Sequence, residues 1–160
     1  MQPYNREQTE RLVETYADML LRLSYTWLGS THDAEDICQT VFLKVIESGR
    51  TFDSPAHEKA FLICAAINAC KDERKAARRR SVPMDACAEQ PAPEHDADSE
   101  VRDAVAALDE KYRIVIYLHY YEGYTAREIA SMLRVPTPTV TTRLRRARAL
   151  LGGMLEGGER

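Results

Sequence analysis

The chain has 160 residues, of which 44% are hydrophobic and 29% charged, and a net charge of −3. That length accommodates one domain or two small ones, and two units of this size each bury only a thin core. The longest apolar run, Ile114 to Leu118, is far too short to span a bilayer, and the opening MQPYNREQTERLVETY is polar where a secretion signal is apolar, so membrane insertion is excluded and an intracellular protein is expected.

The small net charge conceals blocks. Residues 1–58 carry −5, residues 59–80 carry +5, residues 81–110 carry −8 and residues 111–160 carry +5. Two basic segments separated by an acidic one fit two polyanion-binding surfaces on one chain, and equally fit solvated helix faces.

In chain order, Leu12, Tyr16, Leu20, Leu23 and Trp27 recur at steps of three and four and predict a first amphipathic helix, ended by Gly29-Ser30. Asp33 can cap a second helix whose inward side chains are Ile37, Val41, Phe42, Val45 and Ile46, with Gly49 as its stop. After the polar loop Arg50 to Ser54, Ser54-Pro55 reads as an N-cap followed by proline in the first helical position. The third helix then runs through Phe61, Leu62, Ala65, Ala66 and Ala69 to the arginines at 78–80.

Residues 81–99 hold three prolines, many acids and little apolar content, which predicts an extended or disordered acidic linker and a domain boundary. Beyond it, Val101, Val105, Leu108, Tyr112, Val115 and His119 predict one helix of about five turns. Thr125-Ala126-Arg127-Glu128 is a capping box for a short helix that buries Ile129, Ala130 and Leu133. Val135-Pro136 breaks it, and Thr137-Pro138 starts another with Val140, Leu144, Ala147 and Leu151 inward. No strand pattern and no repeat is found, so the fold class is all-α, with two small helical domains joined by a flexible acidic linker.

Residues 124–149 therefore have the layout of a helix-turn-helix. With Val140 at the centre of the buried face and about 100° per residue, Thr141, Thr142, Arg145 and Arg146 fall on the exposed face and Arg143 and Arg148 on its flanks. Arginine can bond guanine bidentately and threonine can touch a base edge or a thymine methyl, while flanking arginines hold phosphates. On the third helix the basic groups cluster after residue 70. Asn68, one turn before Asp72, can read a base or bond within a helix bundle.

Other classes fare worse. There is no glycine-rich phosphate loop, no H-E-x-x-H and no nucleophile elbow, and His32, His57, His95 and His119 are scattered without evident partners, so no catalytic residue, metal ligand or cofactor is expected. Cys38, Cys64, Cys70 and Cys87 form no C-x-x-C pair and read as reduced thiols. Cys64 and Cys70 do not share a helix face, though Cys38 could approach Cys64 and serve as a sensor. A self-sufficient helix-turn-helix repressor needs a dimer interface, and the glycine-rich residues 152–160 offer no dimer helix.

Three stretches resemble the sigma-70 family, specifically its compact extracytoplasmic-function (ECF) group. The run Asp33-Ala34-Glu35-Asp36-Ile37-Cys38-Gln39-Thr40-Val41-Phe42-Leu43-Lys44 is similar to the family's polymerase-binding helix. Ala60-Phe61-Leu62 through Asn68 to Asp72 and Arg74 resembles the helix that engages the −10 element. Tyr124 to Ala130 together with Thr139-Val140-Thr141-Thr142-Arg143-Leu144-Arg145-Arg146-Ala147-Arg148 resembles the −35 reader. Two residues depart from the pattern: Phe61 stands where the family usually has tryptophan, and Pro138 where glycine is frequent.

The resemblance implies a bacterial, cytoplasmic transcription initiation factor without enzymatic activity that binds core RNA polymerase and directs initiation at specific promoters. It implies a −10-binding domain over residues 5–79, a linker over 80–99 in place of a folded middle domain, and a −35-binding domain over 100–155. The implied polymerase contacts are Asp36, Gln39, Thr40 and Leu43. Those to the −10 element are Asn68, Lys71, Arg74, Lys75 and Arg78, with the loop Thr51 to Ser54 helping to capture an unstacked base. Those to the −35 element are Thr139, Thr141, Thr142, Arg143, Arg145, Arg146 and Arg148. It further implies that the linker threads a basic channel of the polymerase, and that an anti-sigma protein holds the factor inactive. No cofactor is implied.

Overall fold

The computed structural model describes residues 2–80 and 97–158. Most of the acidic linker, with Cys87 and His95, lies outside the described residues. The chain divides into two compact units, Met1–Glu89 and Gln90–Arg160, and among the described residues all regular structure is helical.

The first unit is a three-helix bundle. Helix α1, Arg6–Leu28, opens with a capping box: the Asn5 side chain accepts from the Gln8 amide at 2.8 Å, and the Gln8 side chain accepts from the Asn5 amide at 2.9 Å. It stops at Gly29, whose φ of 72° is the left-handed conformation that glycine adopts without a Cβ penalty. Helix α2, Thr31–Ser48, is capped by Ser30, whose hydroxyl accepts from the Asp33 amide at 3.2 Å. This corrects the expectation that Asp33 is the cap. The turn at Gly29 leaves Ser30 extended, the backbone state a cap requires, and puts Asp33 inside the first turn, where its charge complements the helix dipole. Helix α3, Pro55–Arg80, begins as expected, with the Ser54 hydroxyl accepting from the His57 amide at 3.1 Å.

Each helix of the bundle packs on the other two. The apolar stripe expected of α1 is buried throughout, joined by Met19 and Ser24. Ile37, Cys38, Val41, Phe42 and Val45 of α2 and Leu62, Ile63, Ala66 and Ile67 of α3 are buried as well. Complete burial of residues such as Leu12, Leu20, Leu23 and Leu62 contributes about 1.5–3 kcal/mol each relative to exposure. This burial fixes which faces of α2 and α3 remain outside.

In the second unit the single five-turn helix expected over Val101 to His119 is replaced by two helices and a π-helical turn. Helix α4 is Ala97–Ala106, helix α5 is Glu110–Ile116, and the π turn covers Tyr117–Tyr121. The cause is burial. Leu108 and every residue from Ile114 to Leu118 are buried while Val101 is exposed, a pattern one straight helix cannot satisfy. The chain breaks after Ala106, and the Arg113 guanidinium donates to the carbonyls of Ala106 (3.2 Å) and Leu108 (3.1 Å), satisfying groups the break leaves open. The wider π turn then changes the phase of the buried face.

Helix α6, Ala126–Leu133, carries the expected capping box. Glu128 N–H donates to the Thr125 hydroxyl at 3.1 Å, and Thr125 N–H to the Glu128 carboxylate at 3.0 Å. Helix α7 spans Thr137–Gly158. It passes through Gly152 and Gly153, so the glycine-rich end is helical as far as Gly158. Pro138 sits in its first turn, where no intrahelical amide bond is lost. Helices α5 and α6 both pack on α7, which buries Val140, Leu144 and Ala147; Leu151, expected inward, is half-buried.

Candidate nucleic-acid interface

On α2 the four residues Asp36, Gln39, Thr40 and Leu43 are all exposed. At about 100° per residue they lie within one narrow sector of the helix, opposite the core positions. Leu43 is 55% exposed, the largest outward apolar exposure in this helix. Two of the four make local contacts: the Thr40 hydroxyl donates to the Asp36 carbonyl at 2.9 Å, and His32 lies 3.7 Å from the Asp36 carboxylate. His32 thus has a partner that sequence inspection missed. Glu47 falls on the same stripe and is also exposed.

On α3 the expected −10 residues separate. Asn68, Lys75 and Arg78 are exposed, whereas Lys71 and Arg74 are half-buried. Arg74 turns toward α1, where its guanidinium donates to the Trp27 carbonyl at 3.0 Å and closes one of the open carbonyls at that helix end. Arg79, exposed and not singled out from the sequence, shares the stripe of Asn68 and Lys75 three turns along. Arg80 is paired with Glu73 at 2.8 Å.

The loop Thr51 to Ser54 walls one side of a hollow of about 350 Å³, completed by Tyr4, Gln8, Arg11, Arg50 and Glu58. Asn68 does not line it, so the structure does not bring the loop and Asn68 into one cavity. Behind the loop, Phe52 packs against Phe61 (5.3 Å between rings) and edge-on against His57 (5.4 Å), and the Arg50 guanidinium lies 4.5 Å over Phe61. Phe61 is therefore a packing aromatic.

In the second unit, α6, the turn and α7 form the helix-turn-helix. The turn depends on Arg134, which takes a left-handed backbone with φ 59°. On α7, Thr141, Arg145, Arg146 and Arg148 are exposed, and Thr139, Thr142 and Arg143 half-buried. The Thr141 hydroxyl donates to the Thr137 carbonyl at 3.2 Å. Arg148 bonds the Tyr120 hydroxyl, with its guanidinium 5.4 Å from that ring. His119 likewise has a partner, the Tyr124 carbonyl, at 2.8 Å. Arginines and threonines on the outer face of a second helix, backed by a capped first helix, suit a DNA groove.

Residues 12–80 match the model of sigma-70 region 2, and residues 98–151 that of sigma-70 region 4. The chain is 31% identical over 143 residues to the ECF RNA polymerase sigma factor SigL of Mycobacterium tuberculosis, covering 83% of this chain and 80% of that protein. The chain belongs to the ECF group of sigma-70 family RNA polymerase sigma factors. It is also 31% identical to the ECF sigma factor SigE of Mycolicibacterium smegmatis over 89% of this chain, and spans 59% of the length of that longer protein. The fold is that of a solved sigma factor, RpoE from Bartonella quintana in complex with the anti-sigma factor NepR. That likeness has a TM-score of 0.75 and 22% identity, covering 92% of this chain and 96% of that one. As a member of the family, this sigma factor binds core RNA polymerase and directs promoter-specific transcription initiation.

Cys38 and Cys70 are buried and Cys64 half-buried, all unbridged. Burial pushes the Cys38 thiol up to about 11, away from the reactive thiolate. Among the described residues no cluster of metal-ligating side chains occurs, and no helix is long and apolar enough to cross a membrane.

Proposed function

We propose that this sigma factor works through three surfaces carried by two domains, residues 5–79 and 100–155, on a linker over 80–99. The α2 face of Asp36, Gln39, Thr40 and Leu43 docks on polymerase. Removing the exposed Leu43 side chain from water on docking supplies the apolar part of the affinity. The α3 stripe of Asn68, Lys71, Lys75 and Arg78, to which Arg79 is added, holds the −10 element, with Arg74 contributing whatever donors its bond to Trp27 leaves. The α7 face reads the −35 element, with Thr141, Thr142, Arg145 and Arg146 toward the bases and Thr139, Arg143 and Arg148 toward the backbone.

The observation that carries this reading is the split of α7. Val140, Leu144 and Ala147 are buried, whereas the residues aimed away from them are threonines and arginines. Reading an unstacked −10 base costs a few kcal/mol, and the polymerase contacts and the captured single strand offset it, so specific binding requires the holoenzyme. The protein acts in the bacterial cytoplasm and has no chemistry of its own. An anti-sigma protein is a further partner, since the related fold from Bartonella quintana was solved with one.

Transcription in vitro with core polymerase on fragmented genomic DNA, with start sites mapped, tests the reading. The expected result is a shared pair of sequence elements upstream of the starts. Promoter specificity from the isolated chain without polymerase would overturn it.

A further inference from the structure

Tyr4, in the segment that precedes α1, bonds the chain twice where α2 passes into the loop Thr51 to Ser54. Its amide donates to the Ile46 carbonyl at 2.9 Å, closer than the 3.4 Å of the Gly49 amide that shares this acceptor. Its hydroxyl donates to the Arg50 carbonyl. Ile46 lies in the last turn of α2, where carbonyls lack helical partners, and Arg50 is the residue that enters the loop. Tyr4 is half-buried and lines the same hollow as the loop. Burial, then the Glu58 charge nearby, push its phenol above the ordinary 10.0, so the hydroxyl keeps its proton and remains a donor at neutral pH.

The far end of the loop is held by a second tie to α1. Glu58, in the first turn of α3, accepts from Arg11 and from Tyr16. Between the two ties, the Phe52 ring packs on Phe61 and His57. The loop is thus fixed at its entry, its middle and its exit, while Thr51, Asp53 and Ser54 remain exposed. Ordering a loop on binding costs conformational entropy, and a loop already fixed spares the complex that cost. A fixed surface also discriminates where a mobile one re-packs around the wrong ligand.

We infer that Tyr4 is a positioning residue for −10 recognition: through the Ile46 and Arg50 carbonyls it presets the loop Thr51 to Ser54, and so sharpens the choice of the captured base without touching DNA itself. The inference rests on the reading that this loop helps to capture an unstacked −10 base. It gives a part in promoter selection to a residue outside both α3 and the loop.

The test uses the full chain assembled with core polymerase and a promoter fragment mapped by transcription in vitro. Matching fragments carry either single −10 substitutions or a scrambled −35 element. The proteins are wild type, Tyr4→Phe, and a chain with two glycines inserted after Asp53, which displaces loop backbone and side chains alike. Tyr4→Phe keeps the ring and the amide bond and removes only the hydroxyl. Its preference for the correct −10 element is expected to fall about threefold or more, because the correct fragment binds more weakly while the substituted ones bind as before. Its −35 preference and its affinity for core polymerase should stay as in wild type. In the free Tyr4→Phe chain, NMR order parameters of residues 51–53 should fall from about 0.85 toward about 0.6, with those of α1, α2 and α3 unchanged.

If Tyr4→Phe keeps full −10 preference while the glycine insertion loses it, the positioning role is wrong and the reading of the loop survives. If the insertion keeps −10 preference, the reading of the loop fails and the inference with it. If Tyr4→Phe lowers −10 preference with loop order unchanged, the hydroxyl acts on DNA directly and the inference is overturned. It is overturned equally if −10 preference, −35 preference and polymerase affinity all fall together, since Tyr4 then supports the whole unit rather than the loop.

Discussion

Arg11 of α1 grips Glu58 of α3 through two hydrogen bonds, Nη1 to Oε1 at 3.2 Å and Nη2 to Oε2 at 2.8 Å. The Tyr16 hydroxyl donates to the same carboxylate at 2.8 Å. Glu58 is buried while the Arg11 side chain is half open to water. The Arg11 hydrogen bond, aided by Tyr16, holds the Glu58 carboxyl below its ordinary value of 4.5 against the opposing effect of burial. The network ties the start of α3 to α1 beside the loop Thr51 to Ser54.

Glu58→Gln removes the charge and keeps most of the shape. Because the folded pKa is depressed, the stability from the charge is fully present above the unfolded value and disappears as pH falls through the folded one. Unfolding by urea is expected to show wild type more stable than Glu58→Gln by about 1–3 kcal/mol at neutral pH. The gap should close on acidification below the ordinary carboxylate range. A gap independent of pH would mean that the charge does not contribute.

Arg74 and Lys75 are neighbours in sequence with different expected phenotypes. Arg74 donates to the Trp27 carbonyl, so Arg74→Ala is expected to lower the stability of the first unit by about 1–2 kcal/mol. Lys75 is exposed, so Lys75→Ala should leave the unfolding curve unchanged and weaken promoter binding by the holoenzyme in a salt-dependent way. Equal stability of the two variants would show that the Arg74 bond is lost in solution.

Much of this arrangement is legible in the residues because local signals and core periodicity agree. The α1 stripe, the left-handed stop at Gly49, the Ser54-Pro55 start, the Thr125–Glu128 box and the buried face of α7 all follow from spacing. Two kinds of feature escape it. Where nearly every side chain in a run is apolar, as from Ile114 to Leu118, periodicity has no contrast to read, and the break at Ala107 and the π turn stay hidden. Contacts between elements distant in sequence, such as Arg74 to Trp27 or Arg11 to Glu58, depend on helix packing and leave no mark on local spacing.

The turn of the helix-turn-helix holds a non-glycine residue in the left-handed region, Arg134, with φ 59° and an exposed side chain. That conformation costs an L-residue about 1 kcal/mol that glycine does not incur. Arg134→Gly is therefore expected to stabilise the second unit by up to about 1 kcal/mol, read as a later urea midpoint. Glycine also gives the unfolded chain more freedom, which sets the upper limit. A clear loss of stability would mean that the Arg134 side chain contributes more than its backbone strain costs.

The reading of the two functional faces separates most sharply in a pair of variants. Leu43→Asp places a charge at the centre of the α2 face without touching the core, because Leu43 already projects into solvent. Burying that charge without a partner is costly, so association with core polymerase is expected to weaken by about 2 kcal/mol or more, while circular dichroism and unfolding stay as in wild type. Arg145→Ala should do the reverse: normal polymerase association, and a loss of about 1–3 kcal/mol in preference for the correct −35 element. Measuring polymerase affinity and −35 selectivity on both proteins gives four numbers that must form this crossed pattern. If Leu43→Asp binds polymerase normally, the docking face lies elsewhere on the first unit; if Arg145→Ala keeps full selectivity, α7 presents a different side to DNA.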